Sequence, residues 1–209
     1  MSRVQGMTSA VTTRVAPDYS FRTEHQYLGV RLTFLHATLL DQSSNAAAFA
    51  QPDREYAVWT GQVHYLWELP RTPLELETRG TAQWTGARIS DLHAIEVGGV
   101  DSVRGFREDE LLLANAHSIN VDFRWLAMPN GSPRRPGLTP GTFFDWASDY
   151  DVGEPATTFS STGVTLRMKW THLQADLAVG ARLIHPGFVD QQLGSWQDHG
   201  IHAQIASAL

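Results

Sequence analysis

With 209 residues, 42% of them hydrophobic and 18% charged, the chain is long enough for one sizeable domain and is neither disordered nor a coiled coil. A net charge of −6 argues against a dedicated nucleic-acid binder, which would carry a basic stripe, and the absence of cysteine removes disulfide and thiolate chemistry. From Met1 to Ser20 no basic segment precedes an apolar run of about 7–15 residues, so this stretch does not read as a signal peptide. No segment approaches about 18 consecutive apolar residues, the length of a transmembrane helix. Two options stay open: a soluble β protein, or a membrane β-barrel whose export signal lies outside this chain.

Taken in chain order, the segments alternate with a period of two, the signature of strands. A weak strand is predicted near Gln5–Val15, followed by Gln26–Leu39 and Tyr56–Leu69. Leu74–Trp84 sets Leu74 and Leu76 against Glu75, Glu77, Arg79 and Gln83. Ile119–Ala127 places Ile119, Val121, Phe123 and Trp125 on one face and Asn120, Asp122 and Arg124 on the other. Gly141–Ala147 follows, then Val164–Trp170, Leu173–Leu183 and Ile201–Ile205, each with an apolar face opposed by a polar one. The total is about eight strands, several of them about 9–14 residues long, whereas soluble strands average about 5–6 and tilted membrane strands need about 9–11. Trp67, Trp84, Trp125 and Trp170 fall at strand ends, as in the aromatic girdles of outer-membrane barrels. A soluble β-sandwich would also alternate.

The connections at Leu69–Pro73 and Trp170–Leu173 are tight turns, while those at 40–54, 85–117, 148–160 and 184–198 are long and polar. Short and long links alternate as periplasmic turns and extracellular loops do in outer-membrane barrels. Met128–Pro140 departs from that rule, being long where a short turn is expected. The expected organisation is a single domain over 1–209, with a long loop at 85–117 and five strands over 118–209.

That loop contains Gly98-Gly99-Val100-Asp101-Ser102-Val103-Arg104-Gly105-Phe106. The stretch resembles the G-G-x-x-S-[VI]-R-G-[FY] signature of an outer-membrane superfamily. This superfamily includes two-partner secretion transporters (TpsB, of the ShlB/FhaC/HecB haemolysin secretion/activation type) and the BamA/TamA assembly factors. In the superfamily the signature lies in an extracellular loop that folds back into the barrel lumen. The resemblance extends to an F-x-D-x-G motif two strands later, matched by Phe143-Phe144-Asp145-Trp146-Ala147 with alanine at the glycine position. It implies that Asp145 meets Arg104 inside the barrel. Alternation places Phe143 and Asp145 on the face opposite Phe144 and Trp146. Gly98, Gly99, Ser102, Val103, Arg104, Gly105 and Phe106 are the candidate loop residues, with Phe143 and Asp145 their partners in the lumen.

The residue types suit that geometry on physical grounds. A guanidinium stays charged and offers a planar fork that a carboxylate grips bidentately. Gly105 permits close backbone approach or a positive φ, and Phe106 adds an apolar anchor. Glu108, Asp109 and Glu110 read as solvated loop acids. The ending Trp196-Gln197-Asp198-His199-Gly200-Ile201-His202 also resembles the start of the last strand of two-partner transporters, although Leu209 stands where phenylalanine is commoner.

The resemblance implies an all-β, antiparallel transmembrane barrel of sixteen strands, of which this chain is the C-terminal half. The other strands and the periplasmic POTRA region are then absent, and a fragment or truncated gene product is expected. Closure as a small barrel would leave the loop no lumen to occupy, and an open sheet would expose two edges. The implied function is an outer-membrane pore that secretes a partner protein; a BamA/TamA-like assembly factor and a soluble β-sandwich binding module are the alternatives. The implied surroundings are a secreted protein substrate and outer-membrane lipid, with no nucleic acid.

Enzymatic chemistry finds little support. The 9 histidines are scattered, and His199 and His202 are three apart, on opposite strand faces. No zinc spacing, nucleophile elbow or phosphate loop occurs, and alternation points His117 and Ser118 apart. Asp149, Asp151 and Glu154 lack an ordered calcium-ligand pattern. No catalytic residue, metal or cofactor is expected.

Overall fold

The computed structural model describes residues 10–40, 51–108, 111–126, 136–150, 156–170, 172–185 and 196–207. Its strands are β1 (Ala10–Val15), β2 (Asp18–Arg22), β3 (Gln26–Leu39), β4 (Glu55–Glu68), β5 (Leu74–Trp84), β6 (Ile95–Val97), β7 (Leu111–Leu113), β8 (Ala116–Trp125), β9 (Gly137–Asp149), β10 (Thr158–Trp170), β11 (Leu173–Ile184) and β12 (Ile201–Ser207). Ten form one antiparallel sheet in the order β1-β3-β4-β5-β8-β9-β10-β11-β12, with β2 also pairing β3. β1 and β2 are two halves of one edge strand: β1 pairs with 34–39 of β3 and β2 with 27–31. Pro17 sits at the break, where a missing N–H is tolerated. Among the described residues β12 pairs only with β11, so the sheet is open. One continuous sheet, rather than two packed face to face, rules out the β-sandwich.

The sheet is inverted relative to a soluble protein. On β8 the apolar row is the exposed one, with Phe123 at 43% and Trp125 at 53%, while Asn120, Asp122 and Arg124 are all at or below 9%. The same outer face carries Val30, Leu32, Val63, Phe144, Val164, Leu166, Leu177, Val179 and Leu183, all exposed. An uninterrupted apolar surface of this kind requires hydrocarbon or another protein to cover it. On β4, Trp59 and Trp67 face outward near opposite ends of the strand. Their eight-residue separation spans about 27 Å along the strand, or about 20 Å of height at a tilt of about 40°. Trp59 lies opposite Trp84 in the ladder and packs on Phe34 at 4.6 Å between centroids. Trp125 and Trp170 mark the turn end, beside Leu74 and Leu173. An arginine at Val164, midway along β10 on this face, is expected to cost about 2–4 kcal/mol if the site lies at the bilayer midplane. Reduced heat-modifiable mobility of the Val164→Arg protein in outer-membrane fractions would register it, and unimpaired assembly would contradict the lipid-facing assignment.

Several strands are longer or more numerous than the sequence pattern suggests. β9 begins at Gly137 and runs through Pro140, because Pro140 lies past the last β8 partner, Gly141, where β9 pairs with β10 alone. β10 begins at Thr158, so the strand takes in the end of the predicted 148–160 link and the Ser161-Thr162-Gly163 run ahead of the predicted Val164 start. Small side chains there leave room on the inner face for what covers it. β2, and the β6–β7 hairpin inside the long loop, have no counterpart in the sequence pattern. Asp109, Glu110, Asp151, Glu154, Leu209 and most of the Met128–Pro140 link lie outside the described residues. Among the described residues, no helix is long and apolar enough to cross a membrane, a test that bears on helices alone.

Candidate functional site

The link between β5 and β8 lies across the inner face of the sheet and packs there in two stages. Its first part rests on the β3–β4 hairpin: Ala87 and Ile89 pack against Leu35, Ala37, Leu39, Tyr56 and Val58. The Thr85 hydroxyl donates to the Ala57 carbonyl at 2.8 Å, and Tyr56 Oη lies 2.7 Å from His93 Nδ1. Burial, more than the positive charge of Arg14, holds the His93 imidazole below the usual histidine pKa, so the ring is neutral in this contact. The chain then enters the β6–β7 hairpin, whose tip, residues 98–108, reaches over β8 to β12.

Glycine geometry shapes that tip. Gly98, Gly99 and Gly105 have φ of 113°, 92° and 99°, a region closed to most side chains. Gly98 N–H donates to Ser102 Oγ at 2.8 Å, and Gly99 N–H to the Phe106 carbonyl at 3.2 Å. The Glu108 carboxylate is not simply solvated. It accepts the Val100 N–H at 3.0 Å and occupies the space a Gly99 Cβ would need.

At the tip, Arg104 is 4% exposed and two carboxylates from adjacent strands grip it. Nε and Nη2 donate to Asp145 Oδ2 and Oδ1 at 2.8 and 2.7 Å, and the Arg104 backbone N–H adds a third bond to Oδ2 at 2.9 Å. Nη1 and Nη2 donate to Asp122 Oδ1 and Oδ2 at 2.7 and 3.2 Å. The guanidinium lies 3.9 Å over the Phe143 ring, which gives a cation–π contact on its remaining face. Asn120 completes the set: its Nδ2 donates to Asp145 Oδ1 at 2.9 Å and to the Ser102 carbonyl. Burial alone would lower the Arg104 pKa, but the hydrogen bonds of Asp145 and Asp122 outweigh it and raise it, so the group is charged at every relevant pH. Ladder register explains the convergence. Asn120 pairs with Asp145 and Asp122 with Phe143, so the four side chains share one patch of the inner face.

Beside the charge lies an apolar seat. Val103 and Phe106, both 0% exposed, pack with Val97, Ala147 and Phe159, and the Phe106 and Phe159 rings meet edge to face at 5.2 Å. Ala147 thus belongs to the core under the loop, and its methyl group is accommodated. Gly105 comes against β11 and the start of β12. A Cβ on Gly180 would lie 3.0 Å from Phe143 and 3.2 Å from Gly105. Phe143 covers Gly163 as well, so two facing strand glycines leave the space that one aromatic ring fills.

The structure therefore brings together Ser102, Val103, Arg104, Gly105, Phe106, Phe143 and Asp145, with Gly98 and Gly99 shaping the turn behind them. Residues without an assigned role in the sequence pattern also take part: Asn120, Asp122, Arg182, Gly180, Gly200 and His202. The alternating Asn120-x-Asp122-x-Arg124 row is the available signal, since it puts an acid and an amide on the inner face of the strand next to Asp145, although the register that brings them level is a long-range feature. A further ionic network on that face joins Arg124 to Glu75 at 3.0 Å and to Glu77, with His64 2.8 Å from Glu77. Among the described residues, no cluster of three or more His, Cys, Asp or Glu could hold a metal ion.

An apolar outer face, an ionic inner face and a loop folded over that inner face define the wall of an outer-membrane β-barrel. The family model described as haemolysin secretion/activation protein ShlB/FhaC/HecB matches residues 8–166, well over half the chain and including the whole loop. The chain belongs to that family, whose members reside in the outer membrane of Gram-negative bacteria. Among solved structures it is similar to CdiB from Escherichia coli, with a TM-score of 0.73 at 15% identity, covering 93% of this chain and 35% of that one. The likeness supports the fold, and the chain spans about a third of that protein's length. No curated protein matches it.

Proposed function

We propose that this chain forms part of an outer-membrane pore that secretes a partner protein, with the loop of residues 85–115 seated in the pore as a plug held by Arg104. The observation that carries the reading is the double grip of Asp145 and Asp122 on a buried arginine, on the inner face of a sheet whose outer face is apolar. A guanidinium satisfied on both sides fixes the loop in register without covalent linkage. The inner face is ionic and suits an unfolded polypeptide, to which it offers hydrogen bonds without a hydrophobic trap. No bond is made or broken in such transport, so the residues named here hold and position. They perform no chemistry.

The test removes one acid. With Asp145→Ala in the full gene product that carries this chain, partner protein recovered from the medium is expected to fall by about tenfold or more. That corresponds to part of the roughly 3–5 kcal/mol that loss of one member of a buried pair costs, less where lumen water screens it. Total outer-membrane protein is expected to stay unchanged. A general fall in barrel proteins would instead identify an assembly factor, and undiminished partner release would overturn the plug reading.

A further inference from the structure

The Arg104 cluster fixes the loop to β8 and β9 only. The peptide groups of the next residue, Gly105, are taken up at the other end of the wall. Its N–H donates to His202 Nε2 of β12 at 3.2 Å, and its carbonyl accepts Arg182 Nε of β11 at 2.6 Å. Arg182 also stacks on Phe106, 4.9 Å from the ring centroid. His202 is 4% exposed, and accepting at Nε2 requires that nitrogen to be unprotonated, which puts the neutral ring's proton on Nδ1. Nδ1 has no hydrogen-bond partner among the described residues, and Glu108 Oε1 lies 3.8 Å from it. The histidine therefore faces the loop through both nitrogens: one bonds Gly105 and the other turns toward Glu108.

β12 is the strand that the histidine contact reaches. Its seven residues pair with β11 from Leu173↔Ser207 to Val179↔Ile201. The loop thus lies across β8 to β12, and the His202 imidazole supplies a hydrogen bond from β12 to it, beside the close backbone approach of Gly200 and Gly105.

We infer that His202, supported by Arg182, is a positioning residue that ties the seating of the motif loop to the pairing of β12, so that release of the loop and loosening of the last strand are one coupled step. The inference rests on the reading of the loop as a plug that must leave its seat. Coupling of this kind is reciprocal: whatever loosens β12 must favour the unseated loop to the same degree.

A cysteine reporter tests it in outer membranes containing the full gene product. This chain has no cysteine, and Val103 on the loop tip is fully buried against the sheet, so a Val103→Cys thiol should react with a maleimide only when the loop lifts. In that background His202→Leu is expected to speed labelling on the order of fivefold, as loss of one hydrogen bond would. His202→Gln, which returns an acceptor near the Nε2 position, is expected to restore the parental rate. Hydrogen exchange supplies the reciprocal readout: Arg104→Ala should speed exchange of the 201–207 amides and leave β4 unaffected. Equal acceleration by His202→Leu and His202→Gln would mark a packing defect and overturn the inference. A parental rate in His202→Leu, with Arg104→Ala accelerated, would overturn it while sparing the plug reading. An Arg104→Ala protein that labels at the parental rate would overturn both.

Discussion

Arg104→Glu is expected to unseat the loop and abolish partner release, and the reverse change Asp145→Arg to do the same. The simple exchange of the two charges is not expected to repair the damage. In the double variant the new glutamate regains an arginine at position 145, but it also faces Asp122, whose oxygens lie 2.7 and 3.2 Å from the present guanidinium. Two carboxylates about 4 Å apart repel by about 4 kcal/mol at an effective dielectric near 20. That nearly cancels the roughly 3–5 kcal/mol at stake in a buried pair. Asn120 Nδ2, now a donor to Asp145, would in addition point at a cation. Only the triple variant Arg104→Glu, Asp145→Arg, Asp122→Asn removes the repulsion, and it is the one expected to recover substantial release. Immunoblots of partner protein in the medium, normalised to assembled barrel, measure the series. Full recovery in the double variant would show that Asp122 is not an energetic partner. Failure of the triple variant would count against the geometry of the whole cluster.

How much of this is legible in the sequence follows from what each feature depends on. Strand periodicity is local, so β3, β4, β5, β8 and β11 can be read from alternation almost to their ends. β9 and β10 read too short because Pro140 and the Ser160–Gly163 run carry loop composition. Their strand state depends on neighbours: Pro140 lies where β8 has already ended, and the small residues lie beneath Phe143 and the loop tip. β6 and β7 owe their pairing to packing on Val103, Phe106 and Phe159, a contact that no local pattern encodes. At the site, Arg104 and Asp145 stand out because both belong to recognisable motifs. Asp122 and Asn120 do not, because their place beside Asp145 is fixed by the β8–β9 register, and the long link between those strands hides it. Glu108 reads as a solvated acid because a burst of charges usually is one. Its hydrogen bond to the Val100 N–H arises from the reversal of the loop at Gly98 and Gly99. Residues that act through long-range register are the ones sequence pattern leaves unassigned.

Gly200→Ala is expected to have a large effect for a single methyl group. Gly200 has φ of 73°, in the left-handed region, where an alanine costs about 1–2 kcal/mol before any contact is considered. Its Cβ would also overlap the Gly180 carbonyl oxygen and lie 3.3 Å from Gly105 Cα. Both obstacles are backbone, so no rotamer change relieves them. Either β12 withdraws from β11, breaking the bond from Gly180 N–H to the Gly200 carbonyl at 2.8 Å, or Gly105 lifts and the loop tip follows. Each route disturbs the contact between loop and last strand, so partner release and thermal resistance of the barrel are expected to fall together. Gly61→Ala on β4 is the matched control, since a Cβ there meets nothing within 4 Å and carries no positive φ. Comparing the heat-modification midpoints of the two variants isolates the steric claim. If Gly200→Ala matches Gly61→Ala, the loop does not depend on close approach at this corner. If Gly200→Ala alone shifts the midpoint and speeds Val103→Cys labelling, one methyl group beside the last strand has unseated a loop held mainly by carboxylates three and four strands away.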